Sequence, residues 1–185
     1  MKTGLILFTH NKFKVSRPLT LVSGIINFLQ TGKLRNKNHR PTHTAVTVEI
    51  KGDVYVVDSD TDGLDIELFE KWKQGRAWIQ VFDPQILTEV DSEEAFIKRV
   101  LDKTGQKYGF EDLGGMIMYL SGIGFQGQAN PDLADDSMIC SVTTAYFYQY
   151  KEWWLRSPLD LFLNRKNDAP FGVDLIQGNP ENIKL

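Results

Sequence analysis

The chain has 185 residues, a single cysteine and a formal charge of −3. That length suits one domain, spanning residues 1–185, whose core needs no metal or disulfide staple, and a lone cysteine excludes an intramolecular disulfide. With 42% hydrophobic and 24% charged residues the composition is that of an ordinary globular protein, and the mildly acidic balance excludes an overall attraction for nucleic acid or anionic membranes.

The apolar run Gly4 to Phe8 is shorter than a secretory core, and His10, Lys12 and Lys14 follow at once. No stretch reaches the roughly 20 apolar residues of a membrane span. The expected product has no integral membrane segment and stays in the cytoplasm, a setting that one unpaired cysteine also suits. A phage-associated or lysis-linked route out of the cell would leave no trace in these features.

In chain order, Gly4 to Phe8 reads as a short buried strand. Pro18 can open a helix, with Leu21, Ile25, Phe28 and Leu29 at helical spacing and Gly32 as its cap. Lys33 to Arg40 reads as a basic exposed loop. The clearest strand pair follows. Thr44 to Ile50 is rich in β-branched residues, Lys51-Gly52-Asp53 is a tight turn, and Val54 to Val57 returns. A short helix around Glu67 to Lys73 leads to a strand at Ala77 to Phe82. Asp91 with Glu94 suggests a capping box for a helix carrying Phe96, Ile97, Val100 and Leu101. The glycine-rich segment Gly105 to Gly127 reads as loop with a short helix at Met116 to Ser121. Asp135, Asp136 and Ser137 are cap material for a helix from Met138 to Trp154. Ser157-Pro158 starts a last short helix, and the tail reads as irregular. Adjacent strands followed by helices argue for an α+β fold with a largely antiparallel sheet.

Three positions carry chemistry. Cys140 lies near the predicted start of a helix, where free N–H groups and the helix dipole favour thiolate. A buried, inert cysteine is the plainer alternative. His43 opens a strand, whereas His10 and His39 read as solvated. Asp58 ends the strand returning from the turn, 15 residues after His43. The two ends of a hairpin lie close together, so its carboxylate can accept the imidazole N–H and steady the imidazolium.

Asp58-Ser59-Asp60-Thr61-Asp62-Gly63 is also a good loop and matches the opening of an EF-hand. The required glutamate at loop position twelve would fall on Phe69, and no entering helix precedes Asp58, which argues against calcium. The cysteine has no CxxC partner and the histidines lack HExxH spacing, so no metal or other cofactor is expected. Gly122 to Gly127 spells GxGxxG without the preceding strand of a dinucleotide fold and reads as a loop.

Taken together, these pieces resemble the circularly permuted branch of the NlpC-type papain-like superfamily, the YiiX-like proteins related to lecithin:retinol acyltransferase. The resemblance covers most of the chain. It rests on Thr3-Gly4-Leu5-Ile6-Leu7-Phe8, on His43-Thr44-Ala45-Val46, on Val56-Val57-Asp58, on Lys107-Tyr108-Gly109-Phe110, on Cys140-Ser141 ahead of a helix, and on Ser157 to Leu161. Gly4 and Gly109 stand near places where that family carries an acid. The order His, Asp, Cys is the permuted one, and spatial adjacency is all the chemistry needs.

The resemblance implies a papain-like sheet packed against a cysteine helix. Cys140 would be the nucleophile, His43 its base and Asp58 the orienting acid. The Cys140 N–H would be an oxyanion donor and Tyr108, by position, a second. The implied activity is that of a cysteine peptidase or amidase, hydrolysing or transferring an acyl group at an amide or ester. Peptides, cell-wall peptides or lipid acyl groups would be the substrates. The alternatives are a binding module that keeps the fold without turnover, and a structural component using the aromatic residues of Tyr146 to Trp154 as an interface.

Overall fold

The computed structural model describes residues 3–11, 40–60, 62–85, 92–108, 137–151 and 156–185, together with residues 28 and 153. The predicted helix after Pro18, the loop from Lys33, the short helix at Met116 to Ser121 and the GxGxxG segment lie outside the described residues, apart from Phe28 and Arg40.

A six-stranded sheet organises what is described. Its strands are β1 (Ile6–Asn11), β2 (His43–Ile50), β3 (Asp53–Asp60), β4 (Gly63–Leu68), β5 (Arg76–Asp83) and β8 (Val173–Gly178). The order is β4-β3-β2-β1-β5-β8, with every neighbouring pair antiparallel. Two short strands, β6 (Lys107–Tyr108) and β7 (Ser137–Met138), pair in parallel beside it. Four α-helices are described: α1 (Phe69–Trp72), α2 (Glu93–Lys103), α3 (Cys140–Phe147) and α4 (Pro158–Asp168). The fold is α+β, as the order of elements predicted.

β1 is central because its apolar run is unbroken. Alternate residues of a strand face opposite ways, so a strand buried on both sides needs apolar residues at consecutive positions. Ile6 and Phe8 join Val46, Val48, Val57 and Phe82 on one face, beneath residues of α2, α3 and α4. Leu5 and Leu7 join Ala45, Val56, Ile79 and Val81 on the other, beneath Phe69, Trp72 and Ile183. Helices therefore cover one face, and a short helix with the C-terminal segment covers the other.

The hairpin between β2 and β3 is tighter than predicted. Ile50 pairs with Asp53, so Asp53 already belongs to the strand and the loop is Lys51-Gly52. Both loop residues have positive φ, 55° and 90°, the two-residue turn whose twist matches the strands it joins.

β3 runs on through Asp58 to Asp60, and Asp58 pairs with Asp65 of β4. The strand thus runs two residues past Asp58, where it was expected to end, and the alternative reading of Asp58 as a loop residue does not hold. The α2 cap is Ser92, whose hydroxyl accepts from the Ala95 N–H at 3.1 Å, one residue later than the predicted box. The Ser157 cap with Pro158 behind it is as predicted, the Ser157 hydroxyl accepting from the Asp160 N–H at 3.1 Å.

The cysteine helix is shorter than predicted at both ends. Ser137 and Met138 extend as β7, and Gln149 takes the left-handed conformation with φ 53°. The tail holds a strand, β8, that the sequence reading missed.

Candidate active site

His43 is the first residue of β2 and sits opposite Thr9 of β1. The β2–β3 register pairs Val46 with Val57. Continued by one step, it sets Asp58 opposite Ala45, a diagonal neighbour of His43 on the same face. Diagonal positions across two strands are within reach of long or aromatic side chains. The His43 ring closes that gap, its Nε2 meeting Asp58 Oδ1 in a short hydrogen-bonded ion pair.

Cys140 reaches the pair from the other direction. It is the first residue of α3, and the Ile139 cap offers no side-chain acceptor for the N–H groups of the first turn. Thr144, one turn on, donates its hydroxyl to the Cys140 carbonyl at 2.9 Å and lies 3.0 Å from the Thr44 hydroxyl. These bonds seat the start of α3 on the start of β2. Cys140 lies close enough to His43 to be among the groups that raise the pKa of its ring. With Nε2 held by Asp58, Nδ1 is the ring nitrogen left for the sulfur.

Cys140, His43 and Asp58 are 6%, 8% and 7% exposed. Burial alone would strip the charge from both His43 and Asp58. For His43 that desolvation is outweighed by the Asp58 carboxylate and then by Cys140, and its pKa is raised to about 10. For Asp58 desolvation is outweighed by the charges of His43 and Arg76 and by hydrogen bonds from His43 and Trp72, which hold the carboxyl well below the usual range. Both shifts run in the direction that favours imidazolium beside carboxylate.

Two further residues belong to the cluster, and the sequence reading missed both. Asp58 Oδ2 accepts from Trp72 Nε1–H and from Arg76 Nη2–H, each at 2.5 Å. Trp72 ends α1 and Arg76 begins β5. Neither sits in a spacing that marks it, since each reaches Asp58 only through the order of strands in the sheet.

Tyr108, the suggested second oxyanion donor, pairs through its backbone with Met138, two residues ahead of Cys140. Its side chain lies outside the described residues, as do Gly109 and Phe110.

The calcium alternative meets a physical obstacle, because Asp58 is buried in the strand with both oxygens engaged. Among the described residues no three of His, Cys, Asp or Glu gather as a metal-binding group. Among them, too, no helix is long and apolar enough to cross a membrane.

No protein family matches the chain, and no curated protein does. The chain is similar in structure to the metalloprotein yiiX of Escherichia coli O157:H7, with a TM-score of 0.54. The sequences are 15% identical over 90% of this chain and 81% of that one. The likeness is one of fold. It bears out the YiiX-like fold that the resemblance implied.

Proposed function

We propose that the chain is a papain-like cysteine hydrolase or acyltransferase, acting at an amide or ester through Cys140, His43 and Asp58. The observation that carries this reading is the convergence of the three side chains. They come from two strands and a helix start, with Cys140 lying 82 residues after Asp58; all three are buried, His43 is bonded to Asp58, and Cys140 is among the groups that raise the His43 pKa.

Each residue then has a task. His43 holds the proton of the Cys140 thiol as imidazolium. The thiolate attacks the substrate carbonyl carbon, and its electron pair forms the C–S bond while the carbonyl oxygen takes the negative charge. N–H groups of the first turn of α3 face that oxyanion. His43 returns the proton to the leaving nitrogen or oxygen, and the C–N or C–O bond breaks. Water or another acceptor, deprotonated by His43, then attacks the thioester and releases the acyl group and the thiol. Asp58 keeps the ring oriented throughout and stabilises the imidazolium each time His43 takes up a proton.

The similar structure is that of a metalloprotein, but the donor set here does not fit a metal. Asp58 Oδ2 already carries the Arg76 guanidinium, and a metal cation at that oxygen would have to displace it. The mechanism above uses only side chains and backbone of the chain.

The rival is a binding module that keeps the fold without turnover. Iodoacetamide labelling of the only cysteine separates the two. Substantial labelling of Cys140 below pH 7, weakened in His43→Ala, is expected of the thiol–imidazole pair. Labelling that starts only near pH 8.5, unchanged in His43→Ala, favours the rival. With an ester or amide probe that turns over, Cys140→Ala and His43→Ala should each abolish turnover, and the double variant should be no worse than either.

A further inference from the structure

Asp58 has two oxygens and two different duties. Oδ1 meets His43 Nε2. Oδ2 accepts from the Trp72 indole and the Arg76 guanidinium. The guanidinium carbon lies 4.3 Å from the centre of the Trp72 ring, so the cation is stacked on the same indole that donates beside it. Arg76 and Trp72 are both buried. The groups around the carboxylate come from three elements: His43 from β2, Trp72 from α1 and Arg76 from β5.

We propose that Arg76 is a positioning residue for the Cys140–His43 pair. Stacked on Trp72, it anchors Asp58 through Oδ2, leaves Oδ1 for His43, and shares the carboxylate charge that the imidazolium would otherwise hold alone. The inference rests on the thiol reading above and deepens it.

A buried carboxylate facing only a histidine has two unproductive states. The proton can pass to the carboxylate, leaving a neutral pair and no imidazolium to stabilise thiolate. Alternatively, the imidazolium can be held so tightly that it is a poor acid toward the leaving group. A guanidinium cannot deprotonate in a protein, so Arg76 keeps Asp58 ionised and excludes the first state. It also carries the same sign as the imidazolium across a shared carboxylate, which loosens the second. The four groups then alternate as Arg76 cation, Asp58 anion, His43 cation and Cys140 thiolate. Their charges sum to zero, which is how a buried charged cluster becomes tolerable. Lysine would keep the charge but not the planar stacking on indole or the directed N–H geometry.

The test uses the full chain and the single thiol, and needs no substrate. Iodoacetamide labelling of Cys140 is timed at pH 6 and at pH 9 in wild type, His43→Ala, Arg76→Gln, Arg76→Lys and Trp72→Phe. A thermal melt of each variant reports folding. Arg76→Gln should lower the pH 6 rate about tenfold, the effect of losing one favourable neighbouring charge. At pH 9, where thiolate forms without help, its rate should stay near that of wild type. Arg76→Lys should recover part of the pH 6 rate. Trp72→Phe, which keeps an aromatic ring but loses the N–H donor and part of the stacked surface, should show a smaller selective loss.

A wild-type profile in Arg76→Gln beside a depressed one in His43→Ala overturns the role of Arg76 and spares the thiol reading. A wild-type profile in His43→Ala overturns the thiol reading itself. Equal losses at both pH values in Arg76→Gln mean a merely structural role and also overturn the proposal. If Arg76→Gln does not fold, Arg76→Lys and Trp72→Phe decide, and wild-type profiles in both overturn it.

Discussion

Among the described residues, two aspartates of the sheet pair with arginine and differ in what surrounds them. On β8, Asp174 meets Arg165 of α4 in a two-pronged contact, Nε to Oδ1 at 2.8 Å and Nη2 to Oδ2 at 3.0 Å. Arg165 also stacks on Phe162 at 4.3 Å. On β3, Asp58 meets Arg76 through one nitrogen at 2.5 Å. By geometry alone the β8 pair is the better one. By burial the order reverses, because the side chains are 18% and 37% exposed for Arg165 and Asp174 but 8% and 9% exposed for Arg76 and Asp58. Water can replace either partner on β8. Beside His43 it cannot, so Asp58 holds the charge of the cluster, while Asp174, which also accepts from Gln80 at 2.7 Å, ties an edge strand to its neighbours.

The hardest way to break that comparison is to remove Asp58. Asp58→Ala leaves Arg76 and His43 facing each other without their anion, and should cost about 3–5 kcal/mol of stability, the usual penalty for orphaning a buried charge. Urea denaturation measures it, and a loss as small as that of a surface pair would refute the contrast.

A backbone lesion on the neighbouring strand is a control that touches no charge. Gly63 opens β4 with φ 110°, and an added Cβ would lie 2.3 Å from the Gln106 carbonyl oxygen. Gly63→Ala should therefore cost roughly 1–3 kcal/mol, by the same amount at every pH between 5 and 9, again read from urea midpoints.

pH sharpens the comparison further. His43 is raised to about 10 in the folded chain. Its stabilisation is full below the unfolded value of about 6.5 and is lost as pH rises through about 10. Asp58 is lowered on folding. Its share is present above the unfolded value of about 3.9 and is lost as pH falls below it. Asp174 is lowered as well, chiefly by its hydrogen bond from Arg165, and so contributes only to the acid side. Stability should decline from pH 6.5 toward pH 10. Asp58→Asn should flatten that alkaline decline, and Asp174→Asn should leave it in place.

The smallest expected effect is on β8 itself. Arg165→Ala should cost about 1 kcal/mol or less and shrink further in 1 M salt, where the Debye length is about 3 Å. A cost near that of Asp58→Ala would mean that pairing geometry, not burial, sets the worth of these bridges.

Much of the site was legible before any coordinates, because its residue types sit on locally recognisable elements. The β-branched runs around Lys51-Gly52 announce a hairpin, and a hairpin brings its own ends together. That alone set His43 and Asp58 side by side. β4 was missed: Leu64, Ile66 and Leu68 alternate as a strand should, but the Asp-rich approach reads equally well as a loop and Glu67 to Lys73 as a helix. The β8 residues Val173 to Gly178 carry only a weak alternation and are strand because β5 offers them an edge.

The sequence by itself determined the hairpin, the buried central strand, the Ser92 and Ser157 neighbourhoods of two helices, and the three reactive residue types. Each follows from rules that act over a few residues: the φ a turn demands, the period of a strand, the groups a helix end must satisfy. Only the tertiary structure decided that α3 starts at Cys140 and seats on Thr44, that this brings Cys140 near His43, and that Trp72 and Arg76 close on Asp58. Those contacts depend on β1 threading between β2 and β5 and on a helix 97 residues beyond His43, and no local rule carries information across that distance.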